Sequence, residues 1–334
     1  MKLIVTGGAG FIGSAFVRML VSTGRHRVVN LDKLTYAGNL DNLEPIAGNP
    51  NYRFVRGDIV DAELINTLIE DESPDAIIHF AAESHVDRSI LSPAASFETN
   101  LRGTFTLLEA VRNRKVPRYV HVSTDEVYGS LEEPFEADES YPLKPSSPYS
   151  ASKAGSDLLA LSYFTTFKSP VLVTRASNNY GPYQFPEKLI PLMISNALED
   201  KNLPIYGDGM QVRDWLYVDD HCRAILAVLE KGRVGEVYNV GGSRSLPNRE
   251  VVQMILKATG KPASLMTTVT DRPGHDRRYA LTSEKLEKET GWSAQVPFEE
   301  GLQSTVDWYR RNRDWVARVK SGEYQDFYKL NYTR

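Results

Sequence analysis

Leu3-Ile4-Val5-Thr6-Gly7-Gly8-Ala9-Gly10-Phe11-Ile12-Gly13 is the stretch on which the fold turns. A short β-branched run stops at a glycine cluster, and a sequence with apolar residues at helical spacing follows over 12–22. That order predicts strand, tight turn and helix. Gly7, Gly10 and Gly13 stand three residues apart. A turn without Cβ atoms lets backbone N–H groups approach a pyrophosphate, and a helix beginning near Phe11 aims the positive end of its dipole at that anion.

Asp32 closes a second predicted strand, 19 residues beyond Gly13. A carboxylate there accepts hydrogen bonds from both ribose hydroxyls and repels a 2′-phosphate, which favours NAD over NADP. Lys33 beside it works weakly against that preference. Strands are expected over 28–31, 52–55, 76–80, 119–122 and 171–174, alternating with helices over 62–70, 94–112 and 149–167. This is the βαβ rhythm of an α/β fold, a doubly wound parallel sheet of Rossmann type. Asp58, with Ile59 after it, and Phe80, Ala81, Ala82 and Ser84 fall at strand C-terminal ends, where such sheets place their ligands. After Ser177 the rhythm becomes irregular, with Gly and Pro clusters but also helices over 247–259 and 298–310. We therefore expect a dinucleotide-binding domain over 1–176 and a smaller, mainly substrate-binding lobe over 177–334. The lobe should close over the end of the sheet, and later segments can cross back to it. A chain of 334 residues suits that division.

Composition limits the partners. The chain carries 39 Lys+Arg against 43 Asp+Glu, a net charge of −4, so no affinity for nucleic acid is expected. Arg310-Arg311-Asn312-Arg313 reads as a solvated helix face. Residues 1–6 run straight into glycines, and the apolar stretch 11–21 is interrupted by Arg18, so neither a signal peptide nor a membrane span is expected. A soluble cytoplasmic protein follows as the expectation. Cys222, the one cysteine, has no partner for an internal disulfide, and the six histidines are dispersed, so no metal site is expected.

Tyr149 and Lys153, four apart on a predicted helix, share one face. A phenol titrating near pH 10 is a poor base at neutrality, but a neighbouring ammonium and a nicotinamide cation both stabilise the phenolate. Tyr149 could then take a proton from a sugar hydroxyl. Upstream, the strand over 119–122 runs into Ser123-Thr124-Asp125-Glu126 at the sheet edge facing the cofactor. Strict strand alternation would send Asp125 and Glu126 to opposite sides, so the chain must bend there if both serve one substrate.

With these residues in view, the sequence resembles the extended short-chain dehydrogenase/reductase family, and within it the dTDP-glucose 4,6-dehydratases. The likeness spans nearly the whole chain. It rests on residues 6–13, 32–39 and 83–89, Thr124-Asp125-Glu126, Tyr149 with Lys153, residues 178–182, and Asp271-Arg272-Pro273-Gly274-His275. The glycine turn and the Tyr–Lys pair are shared across the wider family. The Thr-Asp-Glu triplet discriminates, since related epimerases lack the acid/base pair and GDP-mannose dehydratases typically carry Ser in place of Asp125.

The resemblance implies that C4 of a hexose is oxidised by NAD, water is eliminated across C5 and C6, and hydride returns to C6. It casts Tyr149 as the C4-hydroxyl base, Glu126 as the C5 base, Asp125 as the acid at the departing C6 oxygen, and Thr124 as a hydrogen-bond partner of O4. Asp125 must then be neutral while Glu126 is ionised. It adds Leu34, Thr35, Gly38 and Asn179 to the cofactor set. For the nucleotide diphosphate of a dTDP-glucose substrate it implies Asn178, Lys188, Leu189, Arg213, Asn248, Arg272 and His275, with Pro204, Ile205 and Tyr206 near the base and Ser84 also among the substrate-binding residues. A homodimer built on helices 94–112 and 149–167 is implied as well. A sugar-nucleotide 4-epimerase, a dehydratase for a UDP- or GDP-linked hexose, and a non-enzymatic dinucleotide sensor remain as alternatives. A sensor would be expected to lose the Tyr–Lys pair, which is present.

Overall fold

The structure, a computed structural model, describes residues 1–320. The first half runs β1 (Lys2–Thr6), α1 (Phe11–Ser22), β2 (Arg27–Asp32), β3 (Tyr52–Arg56), α2 (Ala62–Glu72), β4 (Ala76–His79), α3 (Val86–Leu91), α4 (Pro93–Phe97), α5 (Thr104–Arg114), β5 (Tyr119–Thr124), α6 (Pro148–Phe167) and β6 (Val171–Ala176). The second half runs β7 (Asn178–Tyr180), α7 (Leu189–Leu198), β8 (Leu203–Tyr206), β9 (Val212–Tyr217), α8 (Val218–Lys231), β10 (Val237–Val240), β11 (Arg244–Pro247), α9 (Asn248–Thr259), β12 (Met266–Val269), α10 (Glu284–Thr290), α11 (Phe298–Arg311) and α12 (Arg313–Val319).

Seven strands form one parallel sheet in the order β10-β6-β5-β4-β1-β2-β3. The order reverses between β1 and β4, and a crevice opens beyond their C-terminal ends. Alternation along β1 explains the layers. Leu3 and Val5 join Phe16 and Leu20 of α1 and Ile225 and Val228 of α8 on one face. Ile4 faces the other way, onto Ile69 of α2, Leu107 of α5 and Tyr163 of α6. Thus α8 and β10, from beyond residue 176, belong to the layers of the sheet.

β7, β9, α7, α9, α11 and α12 build a second core that includes Tyr180, Trp215, Phe298, Ile255 and Trp315, while Leu286 of α10 packs into the sheet-side core. Two small sheets, β11-β9-β7 and β12-β8, carry it against the open end of the crevice. No helix among the described residues is long and apolar enough to cross a membrane. Arg310 and Arg311 bond at the C-terminal end of α11, to Asp307 and to the Ala258 carbonyl.

The expected helix over 94–112 is interrupted. Between α4 and α5 the backbone widens into a π-helical turn, Glu98–Gly103. The wider turn brings buried Asn100 inward. Its amide donates to Ser152 Oγ on α6 at 2.9 Å and to Glu83 O at 3.0 Å, while its Oδ1 accepts from Glu83 N at 2.9 Å. Asn100 therefore ties the loop after β4 to the helix carrying Tyr149, a tertiary gain that apolar periodicity does not register.

Candidate active site

The glycine turn is fixed by sterics. Gly7 has φ +73°, and a Cβ there would lie 2.5 Å from Ala81 N; one on Gly13 would lie 2.2 Å from Gly7 O. Gly10 caps α1 without any side-chain hydrogen bond, so the first-turn N–H groups are left for a ligand. Asp32 braces this cradle. Its Oδ2 accepts from Ala9 N at 2.9 Å and its Oδ1 from Leu34 N at 2.8 Å. Lys33 Nζ stands 2.5 Å from Asp58 Oδ2, so its charge is engaged by a carboxylate other than Asp32. A glycine cradle, an uncapped helix end and a braced carboxylate fit a dinucleotide.

One cavity of about 410 Å³ runs from this turn to the second lobe, and every site residue expected from the sequence lines it except Leu34. Leu34 instead takes a left-handed conformation, φ 58°, that turns its N–H to Asp32. Its side chain packs on the core of α1. It shapes the rim through its backbone.

The bend required at the end of β5 is present as a single 3₁₀ turn, Asp125–Tyr128. It brings both carboxylates to the cavity. The Thr124 hydroxyl donates to Asp125 Oδ1 at 3.3 Å and accepts from Glu126 N at 3.3 Å. Burial pushes the Asp125 carboxyl well above its ordinary range, and the charges of Glu126 and Asp214 push it further. Its Oδ2 is buried without a hydrogen-bond partner. Glu126 is also raised by burial, but Lys188, Arg272 and Arg213 pull it back. The environments split the pair: Asp125 is held as the acid, and three cations favour Glu126 as the anion.

This split makes a pH prediction. If Glu126 must be ionised for turnover, activity falls as pH drops through its pKa. Lys188→Met removes the largest charge that lowers that pKa, so the acid limb of the rate profile should move to higher pH. A pH–kcat profile at saturating substrate checks this, and an unmoved limb would assign it to another group.

Helix α6 starts at a capping box. Ser147 Oγ accepts from Ser150 N at 3.1 Å, Ser150 Oγ accepts from Ser147 N at 3.0 Å, and Pro148 occupies the first turn. This start sets Tyr149 and Lys153 on the cavity wall. Lys153 Nζ donates to Val122 O at 2.8 Å, and burial lowers its pKa to about 8 while Asp157 works to raise it. The sequence reading has Lys153 lowering the Tyr149 phenol. In the structure the phenol is raised, first by burial and then by the Glu126 charge. Activation of Tyr149 must therefore come with bound ligands.

At the far end, Arg213 stacks on Tyr279 at 4.2 Å and donates to Asp276 O at 2.9 Å, Arg272 pairs with Asp87 at 2.7 Å, and Lys188 donates to Ser84 O at 2.7 Å. Three cations suit a diphosphate. The sequence reading missed Tyr279, Asp87, His85 and Glu187, which line the same cavity. Asp87 and His85 lie inside the 83–89 stretch; Tyr279 and Glu187 sit in irregular segments with no periodic signal.

Dinucleotide cradle, Tyr–Lys pair and acid/base pair in one crevice define an extended short-chain dehydrogenase/reductase that acts on a sugar nucleotide. A family model described as GDP-mannose 4,6 dehydratase matches residues 4–305. The dTDP-glucose 4,6-dehydratase of Xanthomonas campestris pv. campestris (strain B100) is 55% identical, covering 96% of this chain and 97% of its own. The crystal structure of DesIV (dTDP-glucose 4,6-dehydratase) from Streptomyces venezuelae, with NAD and TYD bound, aligns with a TM-score of 0.94 at 52% identity, over 96% of this chain and 100% of that one. UDP-glucose 4-epimerase of Thermus thermophilus in complex with NAD shares the fold, with a TM-score of 0.86 at 33% identity over 93% of this chain and 100% of that one. The chain belongs to the dTDP-glucose 4,6-dehydratase family.

Proposed function

We propose that this protein converts dTDP-glucose to dTDP-4-keto-6-deoxyglucose and water, with NAD as its cofactor. The observation that carries the reading is the pair Asp125 and Glu126, turned by one 3₁₀ turn into the cavity that Tyr149 and the glycine cradle also line. An epimerase needs only the C4 chemistry and has no use for this second pair.

The turn 7–13, Asp32 and the strand-end residues Asp58, Ile59, Phe80, Ala81 and Ala82 hold the dinucleotide. Bound there, NAD supplies a hydride acceptor for C4 and, once reduced, a donor for C6. Tyr149 takes the C4-hydroxyl proton, with Thr124 bonding the same oxygen. A ketone at C4 acidifies the C5 proton, which Glu126 removes, while Asp125, held neutral, protonates the leaving C6 oxygen. Glu126 then returns its proton to C5. Arg213, Arg272 and Lys188 neutralise the diphosphate.

The test is to incubate the purified protein with dTDP-glucose and no added cofactor. A 4-keto-6-deoxy product, seen by its enolate absorbance in alkali, is expected. A C4 epimer that keeps its C6 hydroxyl would establish the epimerase instead.

The active assembly is a homodimer. Phe97, Phe105 and Leu158 are 43%, 48% and 58% exposed on α4, α5 and α6, a set of large apolar side chains that a second copy would cover. Leu158→Glu should shift the protein toward monomer in sedimentation velocity, and an unchanged coefficient would place the interface elsewhere. The single thiol, buried and unpaired, suits a reducing cytoplasm.

A further inference from the structure

The loop after β2 lines the cavity through Thr35, Ala37 and Gly38, and Phe185 and Glu187 line it from a distant segment of the chain. The root of the loop is fixed: Asp32 accepts from Leu34 N, and Asn39 N donates to Ala9 O at 3.0 Å. Its tip is tied across the chain. The Tyr36 hydroxyl donates to Glu187 Oε1 at 3.1 Å over 151 positions of sequence. The other oxygen, Oε2, lies 3.3 Å from Arg88 Nε on α3, and the Arg88 guanidinium stacks over the Tyr36 ring at 3.7 Å. Phe185 meets the same ring edge-on at 5.7 Å. Tyr36, Glu187 and Arg88 thus close a triangle joining three separate segments.

We propose that this triangle is a latch that retains the dinucleotide from one turnover to the next. The proposal rests on the NAD reading above. A reaction that returns its hydride in every cycle needs no cofactor exchange, whereas its sugar nucleotide must come and go. Joined at Tyr36 and Glu187, the two lining segments cannot part without breaking this bond. The charges are set for the bond. Burial lifts Glu187 to about 6, with Lys188 and Arg88 pulling it back, so it is the anion at neutral pH. Burial and Glu187 itself hold the Tyr36 phenol up, so it remains a donor. His85, a further titratable neighbour beside Lys188 and Glu83, has Nε2 3.8 Å from Glu187 Oε2, and burial keeps it neutral.

Tyr36→Phe removes the donor and leaves the ring for Arg88 and Phe185. After prolonged dialysis the unaltered protein should still hold close to one NAD per chain, released on denaturation and measured by chromatography. The variant should lose NAD at least about tenfold faster, the worth of a hydrogen bond to a charged acceptor. Its lost turnover should return on addition of NAD, which a general loss of structure would not allow. Glu187→Gln, which keeps an acceptor but loses the charge facing Arg88, should also release NAD faster and serves as the test if Tyr36→Phe does not fold. Retention by the variants equal to that of the unaltered chain would overturn the latch. If the unaltered chain neither carries nor takes up NAD, the cofactor reading fails, a result distinct from failure of the latch.

Discussion

Asp125→Asn is expected to slow water loss from the sugar by about 10²–10⁴-fold, the usual worth of a positioned general acid, while C4 oxidation stays within about tenfold of its original rate. The environment explains both halves. Burial first, then the charges of Glu126 and Asp214, hold Asp125 protonated, so the native side chain is a neutral donor. Asn is neutral too and has nearly the same shape, and its Oδ1 can keep the bond from Thr124. The fold therefore has little reason to respond. What Asn lacks is an acidic proton for the departing C6 oxygen. In a single turnover, reduced-nicotinamide absorbance should rise at close to the normal rate and then persist, because the next step has stalled. Equal slowing of both phases would show that Asp125 is not the acid at C6.

How much of this was legible beforehand depends on the distance over which each residue acts. Gly7, Gly10, Gly13 and Asp32 could be read because strand, turn and helix are local, and the spacing itself encodes the cradle. Tyr149 and Lys153 could be read because one helical turn separates them. The Asp125–Glu126 bend was legible only as a requirement, since alternation showed that a straight strand could not serve, without saying what would bend it. The structure supplies a 3₁₀ turn with Thr124 capping it. The π turn at Glu98–Gly103 was not legible, because its cause is what Asn100 reaches on the loop after β4 and on α6 rather than anything in its own periodicity. Glu187 was hidden for the same reason: its partners Tyr36 and Arg88 lie 151 and 99 positions away. The phenol of Tyr149 is the instructive case. Its pairing with Lys153 reads as activating in sequence, yet burial and Glu126, neither visible in spacing, dominate its titration.

Tyr149→Phe should reduce turnover by about 10²–10⁴-fold, since it removes the proposed base for the C4 hydroxyl from a site where burial leaves little water to replace it. The block falls on the first step, and here the two predictions constrain each other. Asp125→Asn should accumulate the reduced nicotinamide signal; Tyr149→Phe should never generate it, although dTDP-glucose affinity measured by calorimetry stays within about tenfold because the diphosphate cations are untouched. The double variant should then behave as Tyr149→Phe alone, because a stalled second step is invisible when the first does not occur. If it were instead slower than either single variant by the product of their effects, the two residues would be acting on one transition state, and the assignment of Tyr149 to C4 and Asp125 to C6 would have to be abandoned.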